Sequence, residues 1–246
     1  MEEFIDTFTS KVGDPEVAVL LPIHNEVDAI ESFVLEFHNV VGSKIPLEIV
    51  LSEDGSTDGT KEAIKKISEK VPLKALLSPI RKGYARGIMD GLSYVESNYV
   101  LITDSDGQHD PRDFWKLWGL RKEYDIISGW RVKRADSLHR RVMSKTFQFI
   151  AKKLFDLPDL KDITAPFKLM KTEIAKEIAN EYKYMKESFW TEFTIRAYKK
   201  GLKIKEVPVT HRPRTGGTTR VYKPWKIPKI AASQLYALLK LWRELK

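Results

Sequence analysis

LEIVLSEDGSTDGTKEAIKKISEKVPLKALL, Leu47 to Leu77, changes its hydrophobic period and then changes back. Leu47–Leu51 is a short apolar run with the length and composition of a buried strand, and it stops at Ser-Glu-Asp-Gly-Ser. From Asp58 to Lys70 the apolar residues Ala63, Ile64 and Ile67 fall at helical spacing among lysines and glutamates, with Asp58 or Thr57 placed to cap the helix. Leu73–Leu77 is apolar again. Strand, helix and strand make a βαβ unit, whose crossover leaves the strands parallel and lays a helix over the sheet.

The same alternation runs outward in both directions. Val17–Leu21 reads as a strand ending in Pro22-Ile23-His24-Asn25-Glu26, and Ala29–Val40 as a helix carrying Ile30, Phe33, Val34 and Phe37. Gly83–Val95 follows as a helix and Tyr99–Thr103 as a strand running into Asp104-Ser105-Asp106. Further helices are expected near 111–121, 138–155, 172–180 and 189–200 and across most of 225–245. Strands are expected at Asp125–Ser128, near Phe167–Met170 and at Lys203–Pro208. The pattern predicts an α/β fold: a mainly parallel sheet with helices on both faces and a C-terminal amphipathic helix. It shows no repeat or linker, so one domain over residues 1–222 and a helical appendage over 223–246 is the simplest division. Ligands of such open sheets bind beyond the carboxyl ends of the strands, which places the acidic loops on one rim.

Composition limits the function classes. The 246 residues include no cysteine, which removes disulfides and thiolate metal sites. Met1–Asp14 lacks the basic start and apolar run of a signal peptide, and no stretch approaches the roughly 18 apolar residues of a spanning helix. A cytosolic or peripheral protein is expected. Residues 1–110 hold 10 Lys/Arg against 20 Asp/Glu, whereas the 136 that follow hold 32 against 14. Such segregation suits an anionic partner for the second half; a charge-rich solvated surface is the plainer alternative.

Asp104-Ser105-Asp106-Gly107-Gln108 is the most informative loop. Alternation puts Asp104, Asp106 and roughly Gln108 on one side, an incomplete oxygen shell suited to Mg²⁺ or Mn²⁺ completed by phosphate and water. Alone it could be an acidic turn. Glu53-Asp54-Gly55-Ser56-Thr57-Asp58-Gly59-Thr60 ends the second strand, and Asp54 is expected to face the rim as a base or ribose acceptor. His24 reads first as a packed or hydrogen-bonding histidine.

Taken together the motifs resemble inverting family-2 glycosyltransferases, in particular the polyprenyl-phosphate (dolichol-phosphate) mannose synthase branch. The matching residues are Leu21-Pro22-x-His24-Asn25-Glu26, Asp54-Gly55-Ser56-x-Asp58-Gly59-Thr60, Gly83-x-x-x-Gly87 and Asp104-x-Asp106-x-Gln108-His109-x-Pro111. The likeness continues through Ser128-Gly129-Trp130-Arg131, Arg140-x-x-x-Ser144, Asp162-x-Thr164, Glu206-Val207-Pro208-Val209 and Arg214-x-x-Gly217-x-Thr219-Arg220. The resemblance implies a GT-A fold and transfer of a hexose, mannose above others, from a GDP-mannose or UDP-glucose type donor to polyprenyl phosphate. Pro22, His24, Glu26, Asp54 and Ser105 would then line the nucleotide-sugar site. Asp104, Asp106 and Gln108 would hold metal and diphosphate. Arg131, Arg140, Ser144, Arg214 and Arg220 would gather the acceptor and donor phosphates, with Asp104, Asp106 and Arg131 central to catalysis. Departures are His24 for the usual tyrosine, Glu53 for aspartate, Ala165-Pro166 before Phe167, and Trp130 for a small residue.

The acceptor decides whether a base is needed. A phosphate monoester is already anionic at neutral pH, so positioning and charge neutralisation suffice. A hydroxyl acceptor needs a carboxylate base, for which Glu192 is the candidate. Nucleic acid is not an expected partner, because the acidic rim would repel it without a metal. A lipid acceptor implies a membrane surface, with the protein peripheral on its cytoplasmic face. The C-terminal stripe Ile227, Ile230, Ala231, Leu235, Leu238, Leu239 and Trp242 would meet it, or else pack on the domain. Val142, Met143, Phe147, Ile150 and Leu154 offer a second such face. Many family members carry spanning helices beyond this point; anchoring here would come from surface helices or a partner subunit.

Overall fold

The computed structural model describes residues 6–9, 13–132, 138–214 and 227–246. Val17–Ile23 (β2) is buried at every position because both faces of the strand are covered. Val17, Val19 and Leu21 enter one apolar layer, while Ala18 and Leu20 enter the other. The first layer is closed by α1 (Ile30–Phe37) and α2 (Thr60–Ser68). The second lies under α3 (Tyr84–Tyr94), α6 (Thr172–Asn180) and α7 (Phe189–Lys199). Burying each Leu, Ile or Phe in these layers contributes on the order of 1.5–3 kcal/mol. Gly91 lets α3 close on the sheet: a Cβ there would stand 2.3 Å from a Leu20 methyl.

The sheet has eight strands in the order β1-β4-β3-β2-β5-β7-β6-β8. β3 (Leu47–Asp54), β4 (Lys74–Ser78) and β5 (Tyr99–Ile102) run parallel to β2 or to one another, as the βαβ reading expects. β6 (Ile126–Arg131) and β8 (Ile204–Val209) form a second parallel pair. Between the two groups lies β7 (Lys168–Lys171), antiparallel to both neighbours. The edge strand β1 (Asp6–Thr9), antiparallel to β4, was not foreseen, since Met1–Asp14 carries no strand period.

Three of the expected elements differ in detail. The helix expected near 111–121 is a 3₁₀ turn, Pro111–Asp113, followed by the short α4 (Phe114–Trp118); the Asp110 side chain caps the turn at Arg112 N–H. Strands β2 and β3 run on to Ile23 and Asp54, so Pro22 and Asp54 occupy strand ends with fixed backbone direction.

α5 (Leu138–Phe155) and α8 (Ile227–Leu245) share a third cluster with α7, formed by Ala151, Phe155, Ile195, Ala237, Leu238 and Leu241. The buried stripe of α8 is therefore Gln234, Ala237, Leu238 and Leu241, rotated from the one read in the sequence. Leu235, Tyr236 and Leu239 face outward, as do Met143, Phe149 and Ile150 of α5. Glu244 fixes the end of α8, taking hydrogen bonds from Tyr184 Oη (2.6 Å), Arg196 Nη1 (2.9 Å) and Lys183 Nζ (3.2 Å).

Candidate active site

The carboxyl ends of β2, β3 and β5 meet as a braced rim. His24 Nδ1 lies 2.8 Å from the Asp54 carbonyl, which can only accept, so the proton sits on Nδ1. Asn25, at φ 58°, takes Ser56 Oγ as acceptor for its N–H and offers Oδ1 to Thr57 N–H, both at 2.8 Å. Ser105 Oγ donates to the Pro22 carbonyl at 3.0 Å. His24, Pro22 and Ser105 thus tie loops together with the very groups expected to line the nucleotide.

Asp54 is buried, and its carboxylate accepts the N–H groups of Lys82 (2.5 Å) and Gly83 (2.8 Å). It orders the loop between β4 and α3. Gly55, at φ +64°, passes so close to Ile80 and Arg81 that a Cβ would meet backbone at 2.4 Å. Glu53 bonds the Ser56 N–H through Oε1 but leaves Oε2 buried without a hydrogen-bond partner; burial raises its pKa.

Asp104 and Asp106 stand where β5 gives way to the loop. Burial first, then the neighbouring Asp106 charge, pushes Asp104 up to about 6. Burial also raises Asp106, while the Gln108 N–H and Arg214 pull it back. The Tyr84 hydroxyl donates to Asp104 Oδ1 at 2.7 Å and itself accepts from Trp190 Nε1 at 2.8 Å. Burial and then Asp104 hold the Tyr84 phenol well above its ordinary value.

Basic residues close the other side. Gln108 Nε2 donates to the Arg212 carbonyl (3.2 Å), and the Arg212 N–H donates to the Gln108 carbonyl (2.7 Å). The segment after β8 is thereby laid along the acidic loop, and Arg214 bonds Glu26 with Nη1 3.8 Å from Asp106 Oδ2. Burial raises Glu26 and Arg214 opposes it. Arg131 grips Asp162 with two bonds, Nε–Oδ2 at 2.8 Å and Nη2–Oδ1 at 3.0 Å, and reaches Thr164 Oγ1 at 2.9 Å. Its charge acts on both Asp104 and Asp106. Glu206 holds the backbone N–H groups of Lys161 (2.5 Å) and Asp162 (2.8 Å), which sets this pair.

Ser144 on α5 accepts from Gln148 Nε2 at 3.1 Å, and Gln148 binds the Ile163 N–H in the same loop. The Arg140 side chain, Gly217, Thr219 and Arg220 lie outside the described residues.

Glu192 corrects the sequence reading. It is not free to serve as a base: it is fully buried. Its oxygens accept N–H groups of Lys183, Tyr184 and Met185 and Nε of Arg196, each at 2.9 Å. Tyr84, Trp190, Asp162 and Glu206 are the site residues to which sequence reasoning gave no role. Tyr84 and Trp190 stand in two helices 106 positions apart, so no periodicity joins them.

The donor set suits a divalent cation. Asp104 and Asp106 supply oxygen only, and burial leaves their like charges poorly compensated, which a cation relieves. Among the described residues no group of three or more His, Asp or Glu could hold a metal, so the remaining ligands would be diphosphate and water. Gln108 uses its Nε2 on Arg212 and its N–H on Asp106 Oδ1 (3.1 Å).

Comparison with known proteins agrees with this geometry. The sequence profile of Glycosyl transferase family 2 matches residues 18–179. Dolichol-phosphate mannosyltransferase of Pyrococcus furiosus is 25% identical over 213 residues, covering 84% of this chain and 59% of that enzyme. Glycosyltransferase AglJ of Haloferax volcanii is 23% identical over 232 residues, covering 89% of this chain and 71% of that one. Undecaprenyl-phosphate 4-deoxy-4-formamido-L-arabinose transferase of Salmonella choleraesuis is 27% identical over 139 residues, 55% of this chain and 42% of that one. The chain thus spans less than two thirds of the first and last of these relatives.

Among solved structures, glucosyl-3-phosphoglycerate synthase from Mycobacterium tuberculosis superposes with a TM-score of 0.70 at 16% identity, covering 92% of this chain and 80% of that one. It was solved in complex with Mn²⁺, uridine diphosphate and glucosyl-3-phosphoglycerate. At that identity the likeness shows the GT-A fold alone. With the profile covering most of the described sheet and the paired aspartates within it, the chain belongs to glycosyl transferase family 2.

Proposed function

We propose that this chain transfers a hexosyl group, mannose by resemblance, from a nucleotide diphosphate sugar to a polyprenyl phosphate with inversion at the anomeric carbon. The observation that carries the reading is the pairing of two like-charged aspartates, Asp106 buried and Asp104 half-buried, with arginines on one rim of the sheet. Asp104 and Asp106 would hold Mg²⁺ or Mn²⁺, which when bound supplies Lewis-acid neutralisation of the leaving diphosphate. Glu26 and the loop ordered by Asp54 would border the nucleoside. Arg131 and Arg214, with Arg140, Ser144 and Arg220, would gather phosphate, for which forked guanidinium donors are suited.

An oxygen of the acceptor phosphate forms the new bond to the anomeric carbon as the bond to the diphosphate breaks. That oxygen is anionic already, so no side chain has to remove a proton. The engagement of Glu192 with four N–H donors supports this acceptor over a hydroxyl. The names of the Pyrococcus and Salmonella relatives support it as well.

No helix among the described residues is long and apolar enough to cross a membrane. Exposed Phe149 and Ile150 of α5 and Leu235, Tyr236 and Leu239 of α8, with lysines such as Lys145, Lys153 and Lys240, support peripheral docking on the cytoplasmic leaflet. The test is a thermal-shift panel of GDP- and UDP-sugars with and without Mn²⁺ or Mg²⁺, then transfer of labelled sugar to polyprenyl phosphate or to hydroxyl acceptors. A metal-dependent shift lost in Asp104→Asn, with label on the phospholipid, is expected. No shift with any donor, or label on hydroxyls only, overturns the reading.

A further inference from the structure

The two rim aspartates each have one oxygen already engaged. Oδ1 of Asp104 accepts from the Tyr84 hydroxyl at 2.7 Å, and Oδ1 of Asp106 accepts from the Gln108 N–H at 3.1 Å. Oδ2 of Asp104 accepts no hydrogen bond among the described residues, and Oδ2 of Asp106 faces Arg214. The direction of the chain through Tyr84 is fixed by chemistry. An indole N–H can only donate, so Trp190 Nε1 fills the acceptor side of the Tyr84 oxygen, and the single phenolic proton goes to Asp104. Trp190 is buried and packs edge-on against Phe189 and Phe193 at 5.0 and 5.3 Å, which makes it a stationary donor. Tyr84 opens α3 and Trp190 opens α7, so the contact joins helix ends far apart in the chain.

We propose that Tyr84, held by Trp190, is a positioning residue that keeps Oδ1 of Asp104 occupied, so that this carboxylate offers a divalent cation one oxygen and the site favours small six-coordinate ions over calcium. The inference rests on the proposed metal site. Calcium accepts about six to eight oxygens and often takes carboxylates through both, whereas magnesium holds to about six at short, near-octahedral distances. A carboxylate with one oxygen engaged serves the second kind of ion and starves the first. Partners that orient ligands in this way are worth about 10- to 100-fold in metal affinity.

The full chain is titrated without nucleotide against Mn²⁺, Mg²⁺ and Ca²⁺ by calorimetry, with Mn²⁺ also followed by electron paramagnetic resonance. Tyr84→Phe keeps the ring and removes only the hydroxyl. It is expected to weaken Mn²⁺ binding by about tenfold or more and Ca²⁺ binding by less, narrowing the preference between them. Trp190→Phe should move the same ratio in the same direction by a smaller factor, and it carries the test if Tyr84→Phe fails to fold. A purely structural role lowers the melting temperature and leaves the ratio alone. A folded Tyr84→Phe, or failing that a folded Trp190→Phe, with the parent ratio overturns the inference. If the parent binds none of the three ions even with GDP or UDP present, the proposed function falls with it.

Discussion

Replacing Glu192 with glutamine separates a structural carboxylate from a catalytic one. The glutamate receives four donors, two on each oxygen: Lys183 N–H and Arg196 Nε on Oε1, Tyr184 and Met185 N–H on Oε2, all at 2.9 Å. A glutamine amide has one acceptor end. Whichever way it turns, two of those donors face an NH₂ group and lose their partner. Each orphaned buried donor costs about 1–3 kcal/mol, and breaking a buried ion pair costs about 3–5 kcal/mol, so the two routes agree near 3–5. For a chain of this size about 2–4 °C is lost per kcal/mol, which predicts a melting temperature lower by about 6–20 °C. Thermal and urea melts measure that loss, and transfer rates are taken well below the variant's transition. There the folded enzyme should keep kcat within about tenfold of the parent, since loss of a general base would cost about 10²–10⁴. A variant that melts like the parent but loses turnover by about a hundredfold or more would refute the argument and restore the hydroxyl acceptor.

Arg214 bonds Glu26 and stands beside Asp106, where a bound cation would also be drawn. Arg214→Met should tighten Mn²⁺ binding without nucleotide by on the order of fivefold and weaken nucleotide-sugar binding, both read by calorimetry. Burial lowers buried Lys168 to about 8, partly offset by Asp162 and Glu206, whereas the unfolded lysine titrates near 10.4. Between those values the unfolded chain binds more protons, so stability rises with pH across that window, and below it the cost of the buried charge is fully present. Urea melts at several alkaline pH values should show that rise in the parent and a flatter profile in Lys168→Met; equal slopes would contradict the assignment. Phe149→Glu combined with Tyr236→Glu, both positions 60% exposed, should abolish co-sedimentation with anionic phosphatidylglycerol vesicles while leaving donor binding intact.

The sequence by itself determined the layers and the alternation of strands and helices that builds them. Apolar runs such as Val17–Leu21 and Leu47–Leu51, separated by helices with 3/4 spacing, have one economical solution, a parallel sheet covered on both faces, because backbone hydrogen bonds and apolar side chains must both be satisfied locally. The rim motifs were legible for the same reason: short acidic stretches at strand ends need no long-range information to be found. The tertiary structure decided what each side chain faces. Asp54, read as facing the rim, also holds the Lys82–Gly83 backbone; Glu192, the candidate base for a hydroxyl acceptor, is sealed among four donors. Leu235 and Leu239 of α8 share a helical stripe with Leu238, yet only Leu238 is buried, because the α5 and α7 surface sets the rotation. Tyr84 and Trp190 meet at Asp104 only once two helices are packed on the sheet. Periodicity reports a residue's face of its own element; contacts between elements depend on rotation and register, which are settled by packing.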